Sequence, residues 1–105
     1  MRNDTVLQKM HKYSTKLIDY CSGYTYGSFS SDIKLVEACV FNLSQLGELC
    51  HFVDSTFAQA HPEIPWREMY GLRNRIVHDY EGVNLRLVWE IIMRIFRNCG
   101  ISSKI

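Results

Sequence analysis

The sequence predicts an all-α protein, a four- to five-helix up-and-down bundle with short connections and no sheet. Three observations carry that expectation. Apolar residues recur at three- and four-residue spacing in four stretches, no stretch alternates with period two, and the breaks between stretches hold capping residues, glycines and prolines.

The first stretch opens with Asn3 or Asp4 as a candidate N-cap, and Val6, Met10, Tyr13, Leu17 and Tyr20 then fall on one helical face. Its exit, Cys21 to Ser28, contains two glycines and several hydroxyls and reads as a loop. Tyr24 and Tyr26 in that loop are better suited to covering the end of the bundle than to stacking on a nucleobase. Ser30 or Ser31 is placed to cap a second helix, whose apolar residues run at helical spacing from Leu35 through Leu43, Leu49 and Val53 to Phe57, nearly 30 residues. So broad a face suggests that part of it is buried against a second copy of the chain. Gly47 within it marks either a bend or a close approach of another helix.

His61 to Pro65 ends that helix, and Pro65 suits the first position of the next because its missing N–H would lack a partner there. Trp66, Met69, Leu72 and Ile76 give the third helix. Glu81-Gly82 breaks the chain, Asn84 can cap, and Leu85, Val88, Ile92 and Ile95 give a fourth helix expected to end near Cys99-Gly100.

A chain of 105 residues, 47% hydrophobic and 22% charged, can bury one core, so residues 1–105 are expected to form a single domain. Its longest apolar runs fall well short of the roughly 20 residues a bilayer crossing needs. With no apolar leader after Met1, a cytoplasmic location is expected. Cys21, Cys39, Cys50 and Cys99 form no C-x-x-C pair and no zinc spacing, and read as reduced thiols, mostly core. Cys50 and His51 are adjacent, but helical neighbours point about 100° apart, which argues against a nucleophile–base pair.

A net charge of +1 does not by itself announce a nucleic-acid binder, yet the cations are sorted along the chain. Six of seven arginines lie from Arg67 onward, and four of five lysines lie before residue 35. Arginine suits phosphate because its planar guanidinium donates parallel hydrogen bonds. The segment from Arg73 to Tyr80 concentrates that chemistry. It offers phosphate donors in Arg73 and Arg75, an amide in Asn74, a side chain that titrates near neutral pH in His78, and a phenol in Tyr80. Arg73 and His78 would point about 140° apart on a regular helix. Their cooperation needs the helix to end at about His78, or a second subunit to bring its own copy alongside.

These residue types fit cleavage of RNA by its own 2′-hydroxyl: Arg73 to stabilise the anionic transition state, His78 to move a proton, and Asn74 and Tyr80 to position phosphate or ribose. The segment Ile64-Pro65-Trp66-Arg67-Glu68 through Gly71-Leu72-Arg73-Asn74-Arg75-Ile76-Val77-His78-Asp79-Tyr80 to Gly82-Val83 and Val88-Trp89-Glu90-Ile91 closely resembles the HepT-like branch of the HEPN superfamily. Upstream, Phe29-Ser30-Ser31-Asp32, Asn42-Leu43 and Leu46-Gly47-Glu48 are similar to it as well, so the resemblance spans nearly the whole chain.

What the resemblance implies is a HEPN-type bundle and the toxin of a type VII-like HEPN/MNT toxin–antitoxin pair. Such a toxin is a homodimeric endoribonuclease that needs no metal or other cofactor. It carries an Arg-x4-His-x-Tyr motif filled here by Arg73, His78 and Tyr80, with Asn74 as the polar residue inside the gap. The resemblance further implies a partner antitoxin, a minimal nucleotidyltransferase that uses ATP to place AMP on Tyr80. A bulky anion beside Arg73 and His78 would occupy the phosphate site and cancel its charge. The alternative is a non-catalytic module that docks a nucleotidyltransferase or holds nucleotide or RNA. The acidic Asp79 and Glu81 beside Tyr80 depart from what a bare RNA cleft would carry.

Overall fold

Local caps divide the chain more finely than its periodicity does. A computed structural model, describing residues 2–97, contains six helices and no strand among those residues. They are α1 (Asn3–Cys21), α2 (Tyr26–Ser30), α3 (Ile33–Cys50), α4 (Ser55–Ala60), α5 (Trp66–His78) and α6 (Leu85–Arg97). The all-α expectation holds, and the expected four to five helices become six.

The stretch Cys21 to Ser28, expected as a loop, runs into α2 at Tyr26. Gly23 turns the chain at φ +82°, a backbone conformation glycine reaches without penalty. Thr25 and Ser28 then cap each other reciprocally. The Ser28 N–H donates to Thr25 Oγ1 at 3.2 Å and the Thr25 N–H to Ser28 Oγ at 2.9 Å.

The long second helix breaks at Cys50. The N–H groups of His51, Phe52 and Val53 donate to carbonyls three residues back, tightening the helix end. Asp54 then starts α4 by accepting from the Thr56 N–H. The apolar spacing continues across this turn because Val53 and Phe57 still pack on the core, so periodicity alone conceals the break.

The caps also fall differently. Asp32, rather than Ser30 or Ser31, caps α3 by accepting the Leu35 N–H at 3.1 Å. Arg2 occupies the N-cap position of α1, and Asn3 instead accepts the Asp54 N–H at 2.9 Å, tying α1 to the start of α4. Pro65 stands at the N-cap of α5, one residue outside the helix. Asn84 does cap α6, accepting the Leu87 N–H at 3.1 Å. The expected end of the last helix near Cys99-Gly100 lies outside the described residues.

Helix α3 lies between α1 and α5 and carries the centre of the core. Val40, Leu43 and Leu46 on α3 are buried, as are Met10 and Leu17 on α1 and Met69 and Leu72 on α5. Each such side chain contributes roughly 1.5–3 kcal/mol. Two flanking helices thus account for most of the breadth of the α3 apolar face that had suggested a second copy. Ile33 and Phe41 on the same helix remain exposed. Gly47 is a close-packing glycine: a Cβ there would stand 2.5 Å from the Met69 carbonyl oxygen and 2.5 Å from Arg73 Cβ. The backbones of α3 and α5 therefore meet at Gly47, which fixes Arg73 against α3. No helix among the described residues is long and apolar enough to cross a membrane.

Candidate functional site

Helix α5 is anchored at its start by the Trp66 indole N–H, which donates to the His61 carbonyl at 3.0 Å. It ends at His78, one of the two arrangements under which Arg73 and His78 could cooperate. The Asp79 N–H still donates to the Arg75 carbonyl, but Asp79 itself leaves helical geometry at φ −154°. Its carboxylate accepts the Gly82 N–H at 3.1 Å and closes a turn that carries Tyr80 and Glu81. The acidic residue that sat oddly in an RNA cleft is therefore spent partly on shaping this turn.

Arg73 occupies the α5 face next to Gly47. Its Nη2 lies 2.6 Å from Glu48 Oε2 on α3, and its Nη1 donates to Asn74 Oδ1 at 2.7 Å. The guanidinium carbon is 5.9 Å from the centre of the Tyr70 ring. Of the five N–H donors a guanidinium carries, these contacts use two.

Asn74 and His78, four apart, share a face and line a shallow hollow of about 400 Å³ with Arg75, Asp79 and Gly82. Arg73 joins this hollow only through its hydrogen bond to Asn74, and no hydrogen bond links Arg73 to His78 among the described residues. Tyr80 lines a neighbouring hollow of about 300 Å³, which Ile33, Glu37 and Val40 of α3 also line. Its hydroxyl is held above the ordinary value for tyrosine, first by partial desolvation and then by the Glu37 carboxylate. Tyr80 as a whole remains 47% exposed.

The sequence placed Arg73, Asn74, His78 and Tyr80 within one segment, and the structure makes Asn74 the link between the first and third of them. What the sequence reading missed is Glu48. Gly47, read in the sequence as either a bend or a close approach, is where α3 meets α5 and brings Glu48 within reach of Arg73. Cys50 and His51 form no nucleophile–base pair. Burial pushes the Cys50 thiol up to about 12, and the His51 ring stacks on Tyr70 at 5.3 Å with planes 16° apart. Cys21 and Cys39 are buried core thiols, 3.5 Å apart. Among the described residues no group of three or more His, Cys, Asp or Glu side chains is placed to hold a metal ion.

A family model described as "Ribonuclease HepT-like" matches residues 10–98, which include every residue of this site. The chain belongs to the HepT-like ribonuclease family. Among its HepT-like relatives, a protein named "Putative RNase" from Caldanaerobacter subterraneus subsp. tengcongensis is 35% identical over 78 residues, 74% of this chain and 70% of the relative. A protein named "Probable ribonuclease HepT" from Thermococcus cleftensis is 36% identical over 67 residues, 64% of this chain and 61% of the relative. A "Putative RNase" of Methanocaldococcus jannaschii is 30% identical over 77 residues, 73% of this chain and 64% of the relative. The matched segments thus span about six to seven tenths of these relatives' own lengths. No solved structure matches the chain.

Proposed function

We propose that this HepT-like chain is the toxin of a HEPN/MNT toxin–antitoxin pair, an endoribonuclease that cleaves RNA without a metal ion and acts as a homodimer. The 2′-hydroxyl oxygen attacks the adjacent phosphorus, the bond to the 5′-oxygen breaks, and the products are a 2′,3′-cyclic phosphate and a 5′-hydroxyl end. Arg73 stabilises the negative charge that builds on the phosphoryl oxygens. His78 takes the 2′-hydroxyl proton or supplies one to the leaving oxygen, and a second copy of the motif across the dimer provides the complementary transfer. Asn74 positions the phosphate beside Arg73. Tyr80 helps to position the ribose and is the acceptor of AMP from a nucleotidyltransferase antitoxin. In that step its oxygen attacks the α-phosphorus of ATP, its proton leaves and pyrophosphate departs.

The observation that supports this reading most is the end of α5 at His78. It leaves Asn74 and His78 on one hollow with Arg73 hydrogen-bonded at the edge, and it puts Tyr80 on an exposed turn directly after. One contact favours the alternative of a non-catalytic module that binds nucleotide or docks a nucleotidyltransferase, since Glu48 pairs with Arg73 and offsets its charge. Growth after induction of the chain alone distinguishes the two. Arrest by the intact chain but not by His78→Ala at equal soluble expression supports the toxin. Normal growth with all forms, together with co-purification of a nucleotidyltransferase, supports the module.

A further inference from the structure

Glu48 is a wall shared by two places. On one side it pairs with Arg73, and on the other it lines a separate hollow of about 270 Å³ with Lys9, Lys12, Tyr13 and Phe52. Lys9 and Lys12 are exposed, and between Thr5 and Ile18 the first helix carries three lysines and a histidine but no acidic residue. The hollow sets two ammonium groups, Lys9 and Lys12, against the single carboxylate of Glu48, so its formal charge is positive.

An aromatic row connects this hollow to Arg73. The guanidinium lies 5.9 Å from the centre of the Tyr70 ring, Tyr70 stacks on His51 at 5.3 Å, and His51 and Phe52 meet at right angles with their centres 5.4 Å apart. Phe52 is 43% exposed at the rim, where the core has no use for it. Cations beside partly exposed aromatic rings are what single-stranded nucleic acids use, with phosphates on the cations and bases on the rings.

We propose that the Lys9, Lys12, Tyr13 and Phe52 hollow is a subsite for the flanking nucleotides of a single-stranded RNA whose cleaved phosphate lies at Arg73. This rests on the ribonuclease reading for its anchor at Arg73, but not for its contacts. Lys9 and Lys12 each meet a backbone phosphate, and Phe52 stacks on a base. The row of Tyr70 and His51 carries the strand past Glu48.

The test is fluorescence anisotropy of a labelled single-stranded RNA across a salt series, with all proteins in a His78→Ala background so that binding is read without cleavage. Removing two phosphate contacts by Lys9→Ala with Lys12→Ala makes the plot of log affinity against log salt shallower by about 1.4, at about 0.7 per contact. That corresponds to binding roughly 25-fold weaker at 0.1 M salt. Phe52→Ala weakens binding at least about five-fold. Lys9→Arg with Lys12→Arg keeps the charge and restores the slope, which separates lost contacts from a misfolded protein. Unchanged affinity and slope in the alanine pair overturn the proposal, as does a parent protein that binds no RNA. It is also overturned if the alanine pair shifts only the monomer–dimer balance or partner capture, because the surface then serves a protein. A wild-type chain that cuts no RNA but binds it through Lys9 and Lys12 retires the ribonuclease reading and leaves the subsite standing.

Discussion

Gly47→Ala tests the link between packing and chemistry. The added methyl would stand 2.5 Å from the Met69 carbonyl oxygen and 2.5 Å from Arg73 Cβ, so α5 must retreat by about 1 Å to restore ordinary contact. Overpacking of this kind costs about 1–3 kcal/mol. Alanine regains up to about 1 kcal/mol of helix propensity. The obstacle includes α5 backbone, which cannot swing aside, so a net loss of about 1–2 kcal/mol is expected, lowering the melting temperature by roughly 5–15 °C. The same retreat displaces Arg73, and a shift near 1 Å at a catalytic group costs on the order of 100-fold in rate. Gly71→Ala supplies the internal control. Gly71 is exposed, in the same helix, with nothing within 4 Å of an added Cβ, and the substitution should stabilise by up to about 1 kcal/mol. Circular-dichroism melts of the two variants should move in opposite directions. A Gly47→Ala protein that melts at or above the parent refutes the close approach of α3 and α5.

Glu48→Gln removes a partly exposed ion pair, so its effect on stability stays within about 1 kcal/mol. RNA cleavage should nevertheless fall at least about ten-fold, because Arg73 loses the contact that aims it; equal loss of both would make Glu48 merely structural. The Tyr80 phenol, read as the ultraviolet titration difference between the parent and Tyr80→Phe, should ionise above 10.0. Glu37→Gln should lower that midpoint only in part, since desolvation is the larger cause; a midpoint below 10.0 contradicts the hollow described for Tyr80. The Cys50 thiol, pushed up to about 12, should resist iodoacetamide at pH 8 in the folded protein and react only after denaturation, as peptide mass mapping would report.

The parts of the fold that were legible are those governed by long periodicity. Helices α1, α5 and α6 are each one uninterrupted amphipathic stretch, and Asn84 announces the last of them. The turn at His51–Asp54 was hidden because the chain keeps apolar residues facing the core through a tight turn, and spacing reports the face rather than the hydrogen-bond pattern. Helix α2 was hidden because glycines and hydroxyls also favour loops, and only the reciprocal Thr25–Ser28 bonds turn that composition into a cap. In the site, the angular separation of Arg73 and His78 made a helix end at about His78 one of two expected arrangements, the other being a second subunit's copy alongside. The ion pair with Glu48 was not legible, because it depends on how closely α3 and α5 pack, a tertiary fact carried by Gly47.

RNA cleavage through Arg73 and His78 is read by incubating purified protein with single-stranded RNA in the presence of EDTA and mapping the ends. The parent protein should give fragments with 2′,3′-cyclic phosphate and 5′-hydroxyl termini, and folded Arg73→Ala or His78→Ala should give none. Cleavage at the parent rate by folded His78→Ala, or intact RNA after incubation with the folded parent, would contradict cleavage through these residues.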